Sequence, residues 1–202
     1  MKMDIAEIKR PEASHIWQRE EHEHYVEPEW CSTRLFVHEI FEGVIWDPCC
    51  GFGRIPKAAE AAGYEVMASD IVDRGHKPMT GQFDFLTVPN VRCWDNIVCN
   101  PPFNVARNFA ERSLAIAKKK VAMIFPTARL NAARWLDETP LANVWLLTPR
   151  PAMPPGCVVS HGVGLHGEPQ KVGGGKMDFC WLVWDQKFTG APTLRWLHRD
   201  SR

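Results

Sequence analysis

A glycine-containing turn between a short apolar strand and a helix is the feature that most constrains how this chain folds. Residues 44–46 are apolar and predict a buried strand, and residues 47–53 (Asp-Pro-Cys-Cys-Gly-Phe-Gly) lead from it into the alanine-rich residues 54–63. A proline in the first turn and a glycine at the end are typical of a helix over 54–63. Residues 65–69 predict the next strand, which ends at Asp70. This β–α–β order predicts a parallel sheet covered by helices.

The turn and the residue that ends the second strand predict a nucleoside site. Gly51 and Gly53 allow a ligand to approach the backbone closely, and free N–H groups at the helix start attract electron-rich groups. Asp70 follows the turn by about 20 residues, the spacing at which an acidic side chain binds ribose hydroxyls. We therefore expect a nucleoside at this edge of the sheet.

A second candidate site is the tetrapeptide Asn100-Pro101-Pro102-Phe103, which follows an apolar strand over residues 96–99. Proline fixes φ and lacks an N–H, so the carbonyls of Asn100 and Pro101 stay available as acceptors. The Asn100 amide adds a further acceptor, and the Phe103 ring can stack on a flat partner. We interpret this tip as a holder for an exocyclic amine.

The rest of the chain continues the alternation of strands and helices. A helix is expected to begin near Ser32 or Thr33 and to stop before Gly43, and another is expected over 105–120, with lysines at its end. Further strands are predicted over residues 121–125, 141–147 and 177–184. A Pro- and Gly-rich stretch without a predicted helix precedes the last of them, which favours an antiparallel return. The predicted fold class is α/β, a doubly wound, mostly parallel sheet with an antiparallel last strand.

Length and composition indicate one domain over residues 1–202, with a polar segment over 1–24 and a long flexible loop over 149–176. Seven cysteines without a Cys-x-x-Cys pair predict free thiols in a reducing compartment. Neither a bilayer-spanning stretch nor a secretory segment is evident, so we expect a cytoplasmic protein without a membrane partner.

The formal net charge of zero argues against nonspecific DNA binding by the whole surface, so a nucleic-acid face would have to be local. Its candidates are Arg129, Arg134, Arg150, Arg195, His198, Arg199 and Arg202. The acidic and histidine residues over 20–24 lack a matching ligand pair at zinc spacing, so a solvated segment is favoured there and no metal is expected.

These residues together resemble the class I methyltransferases that use S-adenosyl-L-methionine, in the amino-methylating branch with an (Asp/Asn)-Pro-Pro-(Tyr/Phe) motif. The resemblance implies a Rossmann-like fold. It also implies three sets of contacts with the cofactor: Asp47, Pro48, Cys49, Gly51 and Gly53 with the methionine part, Asp70 and Ile71 with the ribose, and Asp84 and Phe85 with the adenine. An amino-terminal segment with Tyr25, Glu27 and Pro28 would close over the methionine carboxylate, and Asn100 would also contact the cofactor.

More narrowly, residues 25–48 and the glycines before residues 179–184 resemble small phage and prophage DNA adenine methyltransferases. This implies methylation of N6 of an adenine rotated out of DNA, with Asn100, Pro101, Pro102 and Phe103 as the catalytic residues. Two departures stand out, since Cys49 replaces a common aromatic residue and asparagine stands where many DNA enzymes carry aspartate. RNA adenine or guanine methylation, protein glutamine N5-methylation and a catalytically inactive nucleoside-binding module remain alternatives.

Overall fold

The computed structural model describes residues 23–89, 91, 93–163, 169 and 174–200. The helices are α1 (Glu29–His38), α2 (Arg54–Ala61), α3 (Ala106–Ile116) and α4 (Gly156–His161), and the strands are β1 (Ile45–Asp47), β2 (Val66–Asp70), β3 (Gly81–Gln82), β4 (Trp94–Cys99), β5 (Ala117–Pro126), β6 (Leu141–Thr148), β7 (Phe179–Asp185) and β8 (Thr193–His198). Short 3-10 helices cover Phe85–Thr87, Thr127–Ala132 and Arg134–Glu138. Most of the predicted segment 1–24 lies outside the described residues.

The strands form one sheet in the order β3-β2-β1-β4-β5-β7-β6-β8. Strand β1 lies between β2 and β4 and is parallel to both. Strand β7 is antiparallel to both of its neighbours, β5 and β6. The predicted class, a mostly parallel sheet with an antiparallel strand, is confirmed. The antiparallel strand is followed by β8, which the sequence analysis did not predict and which pairs parallel to β6.

The core lies on both faces of the sheet. Successive side chains of a strand point to opposite faces, so Ile45 packs into the layer of α1 and α2 while Trp46 packs into the layer of α3. Ile97 and Val98 of β4 are divided between the same two layers. Burial of each such side chain stabilises the fold by about 1.5–3 kcal/mol. None of the helices within the described ranges is long and apolar enough to cross a membrane.

Helix α1 differs from its predicted bounds at both ends. It begins at Glu29, ahead of the predicted caps, because Pro28 precedes it with φ −61° and ψ 144° and sets the entry of the chain. It ends at His38, well before Gly43, because the next residue, Glu39, has extended backbone.

Glu39, the residue after α1, attaches the end of this helix to the sheet. Its carboxylate is buried and accepts hydrogen bonds from Lys120 Nζ at 2.9 Å, Asn143 Nδ2 at 2.7 Å and Trp145 Nε1 at 2.8 Å. Three donors satisfy a carboxylate that burial would otherwise destabilise. The helix therefore ends where its side chain has to reach the strands.

The predicted helix over 105–120 is too long. Helix α3 ends at Ile116, and the three lysines belong to β5, which pairs with β4 and β7. Gln186 secures the transition, because its Nε2 donates to the carbonyls of Leu114 at 2.7 Å and Ala117 at 3.3 Å. Pairing on both sides of β5 outweighs the helical pattern of the local sequence.

The stretch over 149–176 contains a helix that the sequence analysis did not predict. It includes α4, and Met153, Pro154 and Pro155 before that helix are buried. Residues 164–168 and 170–173 of the predicted loop lie outside the described residues.

Candidate active site

A cavity of about 260 Å³ opens at the carboxyl ends of β1, β2 and β4. This volume is slightly below the range typical of small-molecule sites, about 300–1,000 Å³. The sequence-predicted site residues that line it are Tyr25, Glu27, Asp47, Pro48, Cys49, Gly51, Asp70, Ile71, Asp84, Phe85, Asn100 and Pro102. The fold thus brings together residues that are far apart in the sequence. Pro28, Gly53, Pro101 and Phe103 are not among the lining residues.

The turn after β1 is held by two carboxylates at the base of the cavity. Asp47 accepts a hydrogen bond from the Cys49 N–H at 3.1 Å, and Asp70 accepts from the Gly51 N–H at 2.8 Å and the Val72 N–H at 3.0 Å. Asp47 is only 1% exposed. Burial, with the nearby acidic side chains, raises the pKa of the Asp47 carboxyl well above its usual range.

Both glycines of the turn are required by neighbouring side chains. Gly51 has φ +51°, and a Cβ there would lie 2.7 Å from His24 Nε2. Gly53 has φ +76°, and a Cβ there would collide with the His76 ring. The sequence predicts that both glycines allow a ligand to approach the backbone. In the structure Gly51 lines the cavity and leaves room for His24, whereas Gly53 leaves room for His76 and does not line it.

An amino-terminal segment, residues 23–28, closes one side of the cavity. Its backbone pairs with residues 154–156, through Val26 N–H to the Pro154 carbonyl at 2.9 Å and Gly156 N–H to the His24 carbonyl at 3.0 Å. Arg54, at the start of α2, donates to the Glu27 carbonyl at 2.7 Å. The segment is therefore tied both to the start of α2 and to the residues around the start of α4.

The prediction of a solvated segment is wrong for Glu23 and His24. Both are half-buried and line the cavity. Burial, followed by the charge of Arg74, lowers the pKa of His24 to about 4, so its imidazole is neutral at pH 7. Across the described ranges, no group of three or more His, Cys, Asp or Glu side chains is arranged to hold a metal ion.

The Asn100 amide has a fixed orientation. Its Nδ2 donates one hydrogen to the Tyr25 carbonyl at 2.9 Å and the other to Glu27 Oε2 at 2.9 Å. Both partners are acceptors, so the amide nitrogen has to face them and Oδ1 is left as the acceptor of the group. The main-chain carbonyl of Asn100 also accepts from Cys49 Sγ at 3.4 Å.

Pro102 lines the cavity beside Asn100, whereas Pro101 and Phe103 support the tip from outside it. Pro101 is buried, and the half-buried Phe103 ring lies 5.6 Å from the Phe179 ring, with an interplanar angle of 34°. Arg129, in the 3-10 helix after β5, donates a hydrogen bond to the Phe103 carbonyl. The tip is thus held by contacts with both β7 and the segment that follows β5.

The far end of the cavity is formed by Asp84 and the two residues after it. The Asp84 carboxylate accepts from the Leu86 N–H at 2.9 Å and caps the short 3-10 helix. The Phe85 side chain is buried between Trp46 and Phe109, with ring centroids 5.3 Å and 4.8 Å away. Phe85 therefore serves mainly as the floor of the cavity.

Several residues that line the cavity were not predicted from the sequence. They are Glu23, His24, Val26, Cys50, Phe52, Arg54, Ile55, Arg74, Leu86, Asn104, Val105 and Phe109. Cys50 and Phe52 lie in the turn already singled out, and Arg54 directly follows it, so a wider window would have included them. Val26, Leu86 and Asn104 likewise adjoin residues that were singled out.

No protein-family model matches the chain, and no curated protein is significantly similar to it in sequence. Solved structures do match. A proposed RNA methyltransferase from Pyrococcus horikoshii superposes with a TM-score of 0.59 at 13% identity, over 84% of this chain and 91% of that one. The fold is that of the class I methyltransferases.

Two further structures show how broad this likeness is. A type I restriction-modification methyltransferase subunit from Streptococcus thermophilus has a TM-score of 0.55 at 11% identity, over 85% of this chain and 47% of that one. Magnesium protoporphyrin IX methyltransferase from Synechocystis PCC 6803, solved with S-adenosylmethionine bound, has a TM-score of 0.50 at 13% identity, over 77% of this chain and 76% of that one. At these identities the likeness concerns the fold.

Proposed function

We propose that this protein transfers the methyl group of S-adenosyl-L-methionine to an exocyclic amine, N6 of adenine in DNA. The observation that carries the proposal is that the Asn100 amide lies in the same cavity as the turn after β1 and the acidic residue that ends β2. Such a transfer needs a hydrogen-bond acceptor for the amine and a pocket for the nucleoside of the cofactor in the same cavity.

The residues around the cavity have the chemistry to hold S-adenosyl-L-methionine. Each Asp70 oxygen already accepts one N–H and retains a lone pair for a ribose hydroxyl. Asp84 is suited to an adenine amine, and the buried side chains of Asp47 and Glu27 offer oxygen acceptors to the amino group of the methionine part. When bound, the cofactor supplies a methyl group activated by its sulfonium.

The tip is suited to the acceptor. Asn100 Oδ1 would accept an amine hydrogen and so draw the nitrogen lone pair away from the aromatic ring. Pro101 and Phe103, which the sequence suggests as a second acceptor and a stacking surface, do not line the cavity, so either role would require the base to bind at its mouth. We propose direct transfer without a covalent enzyme intermediate, in which alignment of the reacting groups supplies about 7 kcal/mol or more. In duplex DNA the adenine has to leave the stack to reach this cavity.

DNA is proposed as the substrate because of the narrower phage resemblance and the local positive charge near the tip. Arg129 is exposed and contacts the Phe103 carbonyl, and Arg74 lines the cavity. Two other candidates for the nucleic-acid face have partners within the protein, since Arg150 pairs with Asp178 at 2.6 Å and Arg195 lies over the Trp145 ring at 5.4 Å. Arg202 lies outside the described residues.

The test is incubation with methyl-labelled S-adenosylmethionine and separate pools of DNA, RNA and unrelated protein. We expect label in DNA, as N6-methyladenine in mass spectrometry of the digested nucleic acid. Asn100→Ala should abolish transfer while retaining cofactor binding, and Asn143→Ala, at the distant Glu39 site, is the matched control. Label in RNA or protein alone would contradict the DNA assignment. Cofactor binding without product in any pool would favour a nucleoside-binding module.

A further inference from the structure

The contact between Glu27 and Asn100 joins two elements that the sequence separates widely. The two residues are 73 positions apart, and Glu27 Oε2 lies 2.9 Å from Asn100 Nδ2. Glu27 is only 6% exposed, so its carboxylate meets few water molecules. A buried carboxylate needs donors, and the Asn100 amide provides one.

We infer that Glu27 is a positioning residue for the proposed reaction and that it determines why the motif carries asparagine. The Glu27 carboxylate accepts a hydrogen bond from Asn100 Nδ2. This contact, with the one to the Tyr25 carbonyl, fixes the amide so that Oδ1 is free for the amine that receives the methyl group. This inference rests on the proposed function, because it assumes that Asn100 Oδ1 accepts a hydrogen bond from the amine that is methylated.

The pair also has an electronic consequence. Hydrogen bonds in a chain polarise one another, so an amide that donates to a carboxylate becomes a stronger acceptor at its oxygen. Asparagine is intrinsically a weaker partner than aspartate for an amine that gains positive charge. An ionised Glu27 offsets this difference, because its negative charge acts on the amine through the Asn100 amide. Burial raises the pKa of the Glu27 carboxyl, so this effect is expected at a pH high enough to ionise it.

An aspartate at position 100 would not fit beside Glu27. An ionised aspartate has no hydrogen to donate, and its oxygen would face both the Glu27 carboxylate and the Tyr25 carbonyl at hydrogen-bond distance. A buried and a half-buried carboxylate in such a position repel, which raises the pKa of one of them. The structure therefore links the asparagine of the motif to the glutamate of the amino-terminal segment.

The experiment exchanges the two chemical groups. Asn100→Asp should lower kcat about 100-fold, the size expected when a fixed polar contact to the reacting group is lost. Glu27→Gln keeps an acceptor but loses the charge, and should lower kcat about tenfold. The double variant Glu27→Gln/Asn100→Asp restores a donor–acceptor pair between the two side chains and should recover part of the loss caused by Asn100→Asp, while the Tyr25 carbonyl still faces the aspartate. Rates are measured at saturating S-adenosylmethionine and about pH 8, where an isolated carboxylate is ionised.

Glu39 provides a matched control, because it is another buried glutamate that accepts from an asparagine Nδ2, that of Asn143 at 2.7 Å. Glu39→Gln should lower Tm without changing kcat. Recovery of kcat by the exchanged pair is a result that loss of stability alone would not produce. A double variant as inactive as Asn100→Asp, in a wild type that transfers methyl, would overturn the inference.

Failure of the proposed function is distinguishable, since it shows as absence of transfer by the wild type in every pool. In that case the pairing is judged by Tm alone. Asn100→Asp should lower Tm and the exchange should restore it, as expected for residues that interact directly. Equal Tm losses in Asn100→Asp and the double variant would then refute the pairing.

Discussion

Replacing Gly51 by alanine is expected to displace the amino-terminal segment from the cavity. The new Cβ would lie 2.7 Å from His24 Nε2 and 3.3 Å from its Cδ2, closer than carbon atoms pack. The His24 ring has little room to move away. Its other side faces Gly156, where an added Cβ would also collide with it, and it makes an edge contact with Phe52 at 4.8 Å.

The effect has two parts of different size. Alanine in the left-handed backbone of residue 51 is strained by about 1–2 kcal/mol, which lowers stability. Displacement of the segment breaks the two backbone hydrogen bonds that it makes with residues 154–156. At about 1 kcal/mol each these amount to about 2 kcal/mol. If closure contributes that energy to ligand binding, cofactor affinity falls about 30-fold.

Gly63→Ala is the matched control. Gly63 has φ +90°, so alanine is strained there as well, but no atom lies within 4 Å of the added Cβ. Calorimetric titration with S-adenosylhomocysteine should show a weaker Kd for Gly51→Ala and an unchanged Kd for Gly63→Ala. His24→Ala in the Gly51→Ala background should restore part of the affinity. Equal affinity in the two glycine variants would show that the clash does not govern closure.

Three other predictions concern the anchor of α1, the base of the cavity and the tip. Lys120→Met leaves the buried Glu39 carboxylate without its cation and should destabilise the protein by about 3 kcal/mol in denaturant titration, whereas no loss would show that the other donors suffice. The folded protein holds a proton on Asp47, whose pKa burial raises, at pH values where the unfolded chain has lost it. The stabilising effect of Asp47→Asn in thermal melts should therefore grow as pH rises from about 4 to 7, and a flat difference would contradict the shift. Arg129→Met removes the donor to the Phe103 carbonyl and should lower kcat about tenfold with cofactor affinity retained, so an unchanged kcat would exclude a role for this contact.

The parts of the fold that could be predicted are those with local causes. The turn at residues 47–53 carries its own signals, since a left-handed glycine and a proline in the first helical turn act within a few residues. Runs of apolar residues buried on both faces identify β4 and β5 without knowledge of their partners. The proximity of Asp47, Asp70 and Asn100 could be predicted as well, because parallel strands bring their carboxyl ends to one edge.

The parts that could not be predicted depend on distant partners. The lysines at the start of β5 fit a helix end equally well, and pairing with β4 decides for a strand. Strand β8 alternates weakly, because Leu194 is 53% and Trp196 is 59% exposed while Leu197 is buried. Its position at the edge of the sheet follows from pairing with β6, which no local pattern indicates.

The asparagine of the motif likewise depends on a distant partner. Seen alone, Asn100 is a departure that weakens the acceptor, and the tip contains nothing that explains it. The explanation lies in Glu27, which reaches the tip because residues 23–28 fold back over the cavity and pair with residues 154–156. An aspartate in the motif would satisfy the amine but leave the buried Glu27 carboxylate beside a second negative charge, at the half-buried position 100. Chains of this fold that carry aspartate at the tip should therefore have a neutral side chain or a donor where this chain has Glu27, and frequent glutamate there would argue against the coupling.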